Sequence, residues 1–401
     1  MKHPGLFPGG FSANDSGNDR VGMPDKGELT RLFLLALILG GAALRLWLWW
    51  VSIGSNDVAT WARFGESIAA DGLAATYRNI QLYNHPPLMG LYAMQAWRWA
   101  GEDLWTFAHL LKLPGLAGEA LTLWALWRFA GPQASAAYAW LPAAILVSGF
   151  HGNTDCLYTA LVLVAIIAFD RQCHFLAGLL LAAALNVKLI PLVLLPLVFI
   201  GSPNRRTLLR LTAGLAIGAA PFVVPALSAG AAMYRNMVVY NSNTDNWGLL
   251  VALKACVQIP VLSNVGAAMK DAYVGGGRYL VLMAVTFVAL RSRFRNSLPM
   301  AEQAALGAAL FLLLAPGFAV QYVVFAAPLL CLVDVPAALR WGSISGVFIG
   351  LVYWHFRVQG THLASVHTTG FPIQAWVVGL AAWVVLLQFV WRHRPFAAVS
   401  R

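Results

Sequence analysis

An all-α, polytopic membrane fold is what this sequence predicts, and three observations predict it. Apolar residues make up 59% of the 401 residues and charged ones only 11%, where a soluble domain carries about a quarter charged residues. Apolar runs of roughly 15 to 22 residues recur along the chain, long enough to cross a hydrocarbon core of ~30 Å, and the mean hydropathy is +0.68. Lys and Arg gather in short clusters between those runs, as the positive-inside rule produces. The net charge of +11 therefore reads as topology and excludes a nucleic-acid footprint.

Taken in order, residues 1–30 are rich in Gly, Pro, Asn and Asp, with no cleavable signal, and predict a disordered cytoplasmic tail. Arg20, Lys26 and Arg31 precede the first run, 32–51, and place the N-terminus inside. The clusters at 204–210, 291–295, Arg340 and 391–395 mark the same side. The path this predicts leaves the cytoplasm at 32–51 and makes a long outer loop. It then crosses at 108–128, 134–149 and 156–169, goes out and back across 175–200, and out at 208–229. A second outer segment, 230–276, precedes crossings at 278–291, 299–315, 321–335, 341–354 and 373–391. About twelve spans result, within a range of ten to thirteen, with both ends inside. Residues 31–335 are the expected catalytic core. Residues 336–392 add the last helices and an outer loop, and 393–401 form a cytoplasmic tail. Two stretches, 86–103 with its two prolines and Arg98, and 247–262 with Lys254 and Pro260, suit amphipathic helices on the outer face. The four cysteines, Cys156, Cys173, Cys256 and Cys331, are scattered and mostly in apolar stretches, as small core residues are.

This threading collects the unusual polar residues on the outer side. Asp57, one of sixteen acidic residues, follows the first run and begins an amphipathic pattern with Trp61, Phe64 and Ile68 on one face. It fits either a helix N-cap or a carboxylate that takes a proton from an attacking hydroxyl. In "YNHPP" (83–87) two prolines stiffen the turn that presents Tyr83, Asn84 and His85. "HGNTDCLY" (151–158) brings His151, Asn153 and Asp155 to the mouth of a span. Asp155 fits a cap favoured by the helix dipole, an orienting group for a sugar hydroxyl, or a partner of Asp57 on a cation. Lys188 interrupts an apolar stretch, where an ionisable group is costly and functional by default. A tight hairpin would put it at the outer tip, either to hold a phosphate or to snorkel. His355, Arg357, His362 and His367 lie in the last outer loop, where basic groups suit an anionic headgroup or pyrophosphate. No familiar metal-ligand spacing occurs among them, and no cofactor is expected.

The order of these elements resembles the GT-C class of integral-membrane glycosyltransferases, which use polyprenyl-phosphate-linked sugars. The likeness is carried by Asp57 early in the first outer loop, "NHPPL" (84–88), "HGNTD" (151–155), the Lys-containing "ALNVKLIPLVLLPL" (184–197) and "APGFAVQYVVFAAPLL" (315–330), the last similar to a span of mannosyltransferases. It implies Asp57 as general base for the acceptor hydroxyl. Asn84 and His85 would border a sugar, Lys188 the donor phosphate, and Gln321 and Tyr322 the same cavity, with His151 and Asp155 at the second-loop position. The second loop lacks a paired Asp-x-Asp, which implies a metal-free inverting transfer. No large soluble C-terminal domain follows, which implies a lipid-linked or small glycan acceptor. The implied setting is a bacterial inner membrane with the site on its periplasmic face. Aromatics such as Trp61, Tyr83 and Trp247 would stack on sugars or anchor at the interface. A flippase for lipid-linked sugars, using Lys188 and Arg45 at the midplane, and an acyl- or phosphoethanolamine-type transferase using His151 or His355 are the competing readings. The sequence leaves the oligomeric state open.

Overall fold

The computed structural model describes residues 26–240, 242, 246–295, 298–358 and 370–393. Residues 1–25 of the expected N-terminal tail, the residues after 393, and His362 and His367 lie outside the described residues, as does the side chain of Arg357; residues 26–30, expected in that tail, instead open the first helix, Lys26–Val51. Among the described residues every regular element is helical. The surface is unlike that of a soluble protein. Trp50, Leu227, Val261, Phe294 and Trp391 stand out from it, at 67%, 85%, 90%, 80% and 67% exposure, a density of exposed large apolar groups that only lipid or a partner surface satisfies.

Among the described residues, four helices are long and apolar enough to cross a membrane: Gly27–Val51, Ser263–Arg295, Val335–Phe356 and Ile373–Arg392. A bent pair, Arg205–Gly218 with Ala220–Val238 at 43°, makes a fifth. This is fewer than the dozen spans the composition predicts, and several of the other apolar runs are cut at proline or glycine into short pieces. The run 134–149 becomes Pro132–Ala139, Pro142–Ile145 and a π-helical turn, Leu146–His151. The run 321–335 becomes a 3-10 turn, Val320–Phe325, and the helix Ala327–Val333. Each break removes backbone hydrogen bonds that neighbouring elements must replace. The helix expected over 278–291 instead begins at Ser263, running back through residues assigned to the outer segment.

The segment 175–200 forms a hairpin with diverging arms, His174–Val187 and Ile190–Ile200. The first arm, 14 residues long, reaches about 21 Å. It crosses the helix Arg205–Gly218 so closely that a Cβ on Gly178 would lie 2.1 Å from the Leu211 carbonyl oxygen, and one on Gly214 equally near that of Phe175, a small-residue crossing of the kind that joins helices in membranes. Both arms start and finish at one end of the molecule, where Arg293 donates to the Ser202 carbonyl (3.3 Å) and Asp170 accepts from the Ala301 amide (3.3 Å). The same end carries His393 between Glu302 (2.6 Å) and Asp334 (3.3 Å). The turn of the hairpin, Lys188, is at the other end. There the first helix stops, and Asn56–Asp71 packs on Pro87–Ala100, with Trp61, Phe64 and Ile68 buried as their spacing predicts.

Candidate functional site

The site grows out of two short loops held together by their backbones. Ser55, the N-cap of Asn56–Asp71, accepts from the Asp57 amide through its side chain. Asp57 is therefore not the cap, and its carboxylate is free for other partners. The same Ser55 donates from its backbone N–H (3.0 Å) and its hydroxyl (2.8 Å) to the carbonyl of His151. Lys112, buried in Leu104–Phe129, donates to the carbonyl of Ser52 (2.5 Å) and to its hydroxyl (3.3 Å), closing the exposed C-terminal carbonyls of the first helix. The π turn Leu146–His151 widens the helix just before His151, a distortion frequent at functional positions.

Gly152 follows with φ +79, and a Cβ there would meet Val58 Cγ2 at 2.5 Å. Gly152→Ala is expected to push the two loops apart, lowering both the thermal midpoint and any activity that depends on His151. Gly101, also left-handed at φ +58 and ψ 35 but with nothing within 4 Å, is the control. Gly101→Ala carries only backbone strain, about 1 kcal/mol, and a thermal-melt comparison of the two variants separates clash from strain.

Asp57 is where the loops converge. His151 Nε2 lies 3.1 Å from its Oδ2, Gln321 Nε2 donates to the same oxygen at 3.3 Å, and Asn153 Nδ2 is a third donor to it. All the side-chain donors described on this carboxylate fall on Oδ2. The side chain keeps 26% of its surface open, enough for a small group to approach. Burial pushes the Asp57 carboxyl up. The nearby His151, the Lys188 ammonium and the Asn153 amide outweigh that and bring it down to about 2, so it is ionised at any physiological pH. On the far side of His151, Tyr353 OH lies 2.7 Å from Nδ1 with the rings stacked at 18°. Held by the phenol at Nδ1 and the carboxylate at Nε2, the imidazole is fixed in orientation between the two.

A second cluster lies beneath. Lys188 Nζ is 3.0 and 2.9 Å from the two oxygens of Asp155, which is fully buried. The Tyr322 ring lies 4.7 Å from the ammonium. Asp155 is thus spent on a bidentate ion pair, a use the sequence did not reveal. This replaces the pairing with Asp57 on a cation, and among the described residues no three metal-ligating side chains converge. His85 rests on Trp61, with ring centroids 4.2 Å apart. Its Nδ1 is buried without a partner among the described residues. Burial first, and Lys188 second, push its pKa down to about 3, so the ring is neutral. Asn84 is half-buried beside it.

Three expected site residues are elsewhere. Tyr83 is wholly buried, its ring 5.0 Å from Phe64 and its hydroxyl where a Cβ on Gly90 would sit, so it packs the loop and stacks on no sugar. Trp247 is buried too, stacked on Phe318 at 4.2 Å and 7°. Trp61 is buried but lines the floor under His85. His355 packs edge-on against its neighbour Phe356. On a helix it lies about 200° around from Tyr353, so the residue of this helix that reaches Asp57's histidine is Tyr353. Tyr353 carried no sequence signal beyond being a tyrosine in an apolar run. Cys156 and Cys331 are buried, while Cys173 is exposed. No family model matches the chain, and neither does any curated protein sequence.

Proposed function

We propose that this chain is an integral-membrane inverting glycosyltransferase. It moves a hexose or pentose, mannose foremost, from a polyprenyl-phosphate donor to a hydroxyl of a lipid-linked or small glycan. One observation carries the reading: an ionised carboxylate with its described side-chain donors gathered on one oxygen, part-open to approach, beside a histidine and a lysine. The supporting likeness to the GT-C class rests on the ordered motifs around the same residues. The proposed topology has about twelve crossings, counting broken and short helices, with both ends cytoplasmic. The site then faces the periplasmic side of a bacterial inner membrane.

In this mechanism the acceptor O–H places its hydrogen on Asp57 Oδ1. As the acceptor oxygen bonds to the anomeric carbon, the proton passes to Oδ1. The carbon–oxygen bond to phosphate breaks, and its electron pair leaves with the phosphate. A carboxylate held near 2 is a weak base toward a free alcohol. It is adequate here, because the hydroxyl becomes strongly acidic once its oxygen is bonding to carbon. The departing phosphate needs a cation and no proton. Lys188, already paired with Asp155, supplies part of that field without needing a new ion to enter. His151, donating to Oδ2, fixes the direction of Oδ1.

A transporter reading asks Arg45 to bind cargo. Arg45 is instead buried against Glu119 (2.8 Å) and the carbonyls of Gly41, Ala139 and Tyr138, which take four of its five N–H donors. The test of function is a mass-spectrometric comparison of lipid-linked glycans from cells with and without the chain; a glycan lacking one sugar in the second sample is expected, and identical profiles would refute the proposal. Tyr353→Phe is expected to lower kcat about tenfold with KM little changed. That is the weight of one orienting hydrogen bond, ~1.4 kcal/mol, read by steady-state kinetics on the purified protein.

A further inference from the structure

An open groove of about 440 Å³ lies apart from Asp57, on the bend of Val223–Met233, where Ala229 departs from helical geometry (φ −144, ψ 25). Two guanidinium groups line it, Arg78 and Arg235, and no carboxylate among the described residues does. Arg78 donates one hydrogen bond to the Ser228 carbonyl (2.9 Å), and Arg235 one to the adjacent Asn236 side chain (3.4 Å). Neither has an ion-pair partner among the described residues, so four of the five N–H donors of each guanidinium lining the groove are without a described partner. Gly230, on the wall, opens onto empty space. Leu227, in the lining, is 85% exposed, and Val224, one turn earlier on the same helix, is 73% exposed.

Two unpaired guanidinium groups beside these exposed apolar side chains fit one kind of ligand, an amphiphile with a phosphate at the end of a hydrocarbon tail. Two Arg side chains supply forked, charge-assisted hydrogen bonds to phosphate oxygens. Leu227 and Val224 offer the tail a surface that already suits lipid. We infer that this groove binds the headgroup of an anionic membrane phospholipid, its phosphate between Arg78 and Arg235. The site stands whether or not the chain transfers sugars. Its wall is joined to the catalytic end, because Asn236 donates to the carbonyls of Tyr77 (2.8 Å) and Ile80 (3.2 Å), and Tyr77 OH donates to the carbonyl of His85 (2.7 Å). A bound lipid would therefore brace the segment that carries His85.

The experiment is native mass spectrometry of the full chain in mild detergent, titrated with phosphatidic acid, with diacylglycerol of the same acyl chains, and with inorganic phosphate as competitor. One phosphatidic acid per chain is expected, with diacylglycerol not retained and inorganic phosphate not displacing the lipid. Arg235→Ala should cut occupancy at least tenfold, and Arg78→Ala/Arg235→Ala should abolish it. Arg98→Ala, an exposed arginine on Pro87–Ala100 outside the groove, should leave it unchanged. Arg78 also ties two helices together, so Arg235→Ala is the decisive variant, its only described side-chain bond being to its neighbour. Equal retention of phosphatidic acid by Arg235→Ala and the unaltered chain, equal binding of diacylglycerol, or displacement by inorganic phosphate would each overturn the inference.

Discussion

Asp57→Asn should abolish sugar transfer, by about 10²–10⁴ in kcat, while leaving the protein folded. Asparagine matches the volume of aspartate, and its amide oxygen can still accept from His151, Asn153 and Gln321, the three donors on Oδ2. What it loses is the charge and the proton-accepting oxygen, the features the mechanism uses. Asp57→Ala is a poorer probe. It strands three donors at once, each unsatisfied group costing ~1–3 kcal/mol, and so mixes loss of chemistry with loss of fold. Size-exclusion profile and thermal midpoint close to those of the unaltered protein, with transfer gone, is the expected pattern for the asparagine variant. Retention of more than a tenth of the rate would remove Asp57 from the base role.

The largest effect on stability is expected at the buried ion pair. Removing one partner of such a pair leaves the other charged and desolvated, at a cost of ~3–5 kcal/mol. Asp155 is fully buried and holds Lys188 through both oxygens, so Asp155→Ala falls at the upper end of that range. Lys188→Met exposes the mirror-image problem, a carboxylate without its cation. The double variant Asp155→Leu/Lys188→Met is expected to be more stable than either single one, since a well-packed apolar pair replaces two costly charges. Thermal melts in detergent read this double-mutant cycle. The same double variant separates structure from chemistry. If Lys188 also stabilises the departing phosphate, the double variant folds yet binds donor poorly, whereas a purely structural pair would restore donor affinity along with the fold.

Much of the helical character was legible in the composition, and the helix at Asn56–Asp71 was legible in detail, because Trp61, Phe64 and Ile68 repeat at helical spacing beside a polar face. The number of spans was less so. Hydropathy registers an apolar run such as 321–335 but not that Pro328 and the 3-10 turn at Gln321 divide it. The threading of the sequence expected Asp57, His151, Asn153 and Gln321 on one side of the membrane, and the structure brings the four into hydrogen-bond contact. The pairing of Lys188 with Asp155 was not legible. Two charges 33 residues apart in sequence meet only because the hairpin returns its tip to the start of Asp155–Asp170. Tyr353 was hidden for a similar reason: only the packing of its helix against His151 distinguishes it from His355, two positions on. Tyr83 misled because an aromatic residue beside a proline-stiffened "HPP" turn looks the same whether it faces a ligand or fills the space that Gly90 leaves.

The most direct measurement uses purified protein in liposomes given a polyprenyl-phosphate hexose and a lipid-linked glycan acceptor, with both lipids followed by mass. The account predicts an acceptor heavier by one sugar, free polyprenyl phosphate in equal amount, and neither product from Asp57→Asn. Donor that reaches the opposite leaflet intact, with the acceptor unchanged, would contradict it.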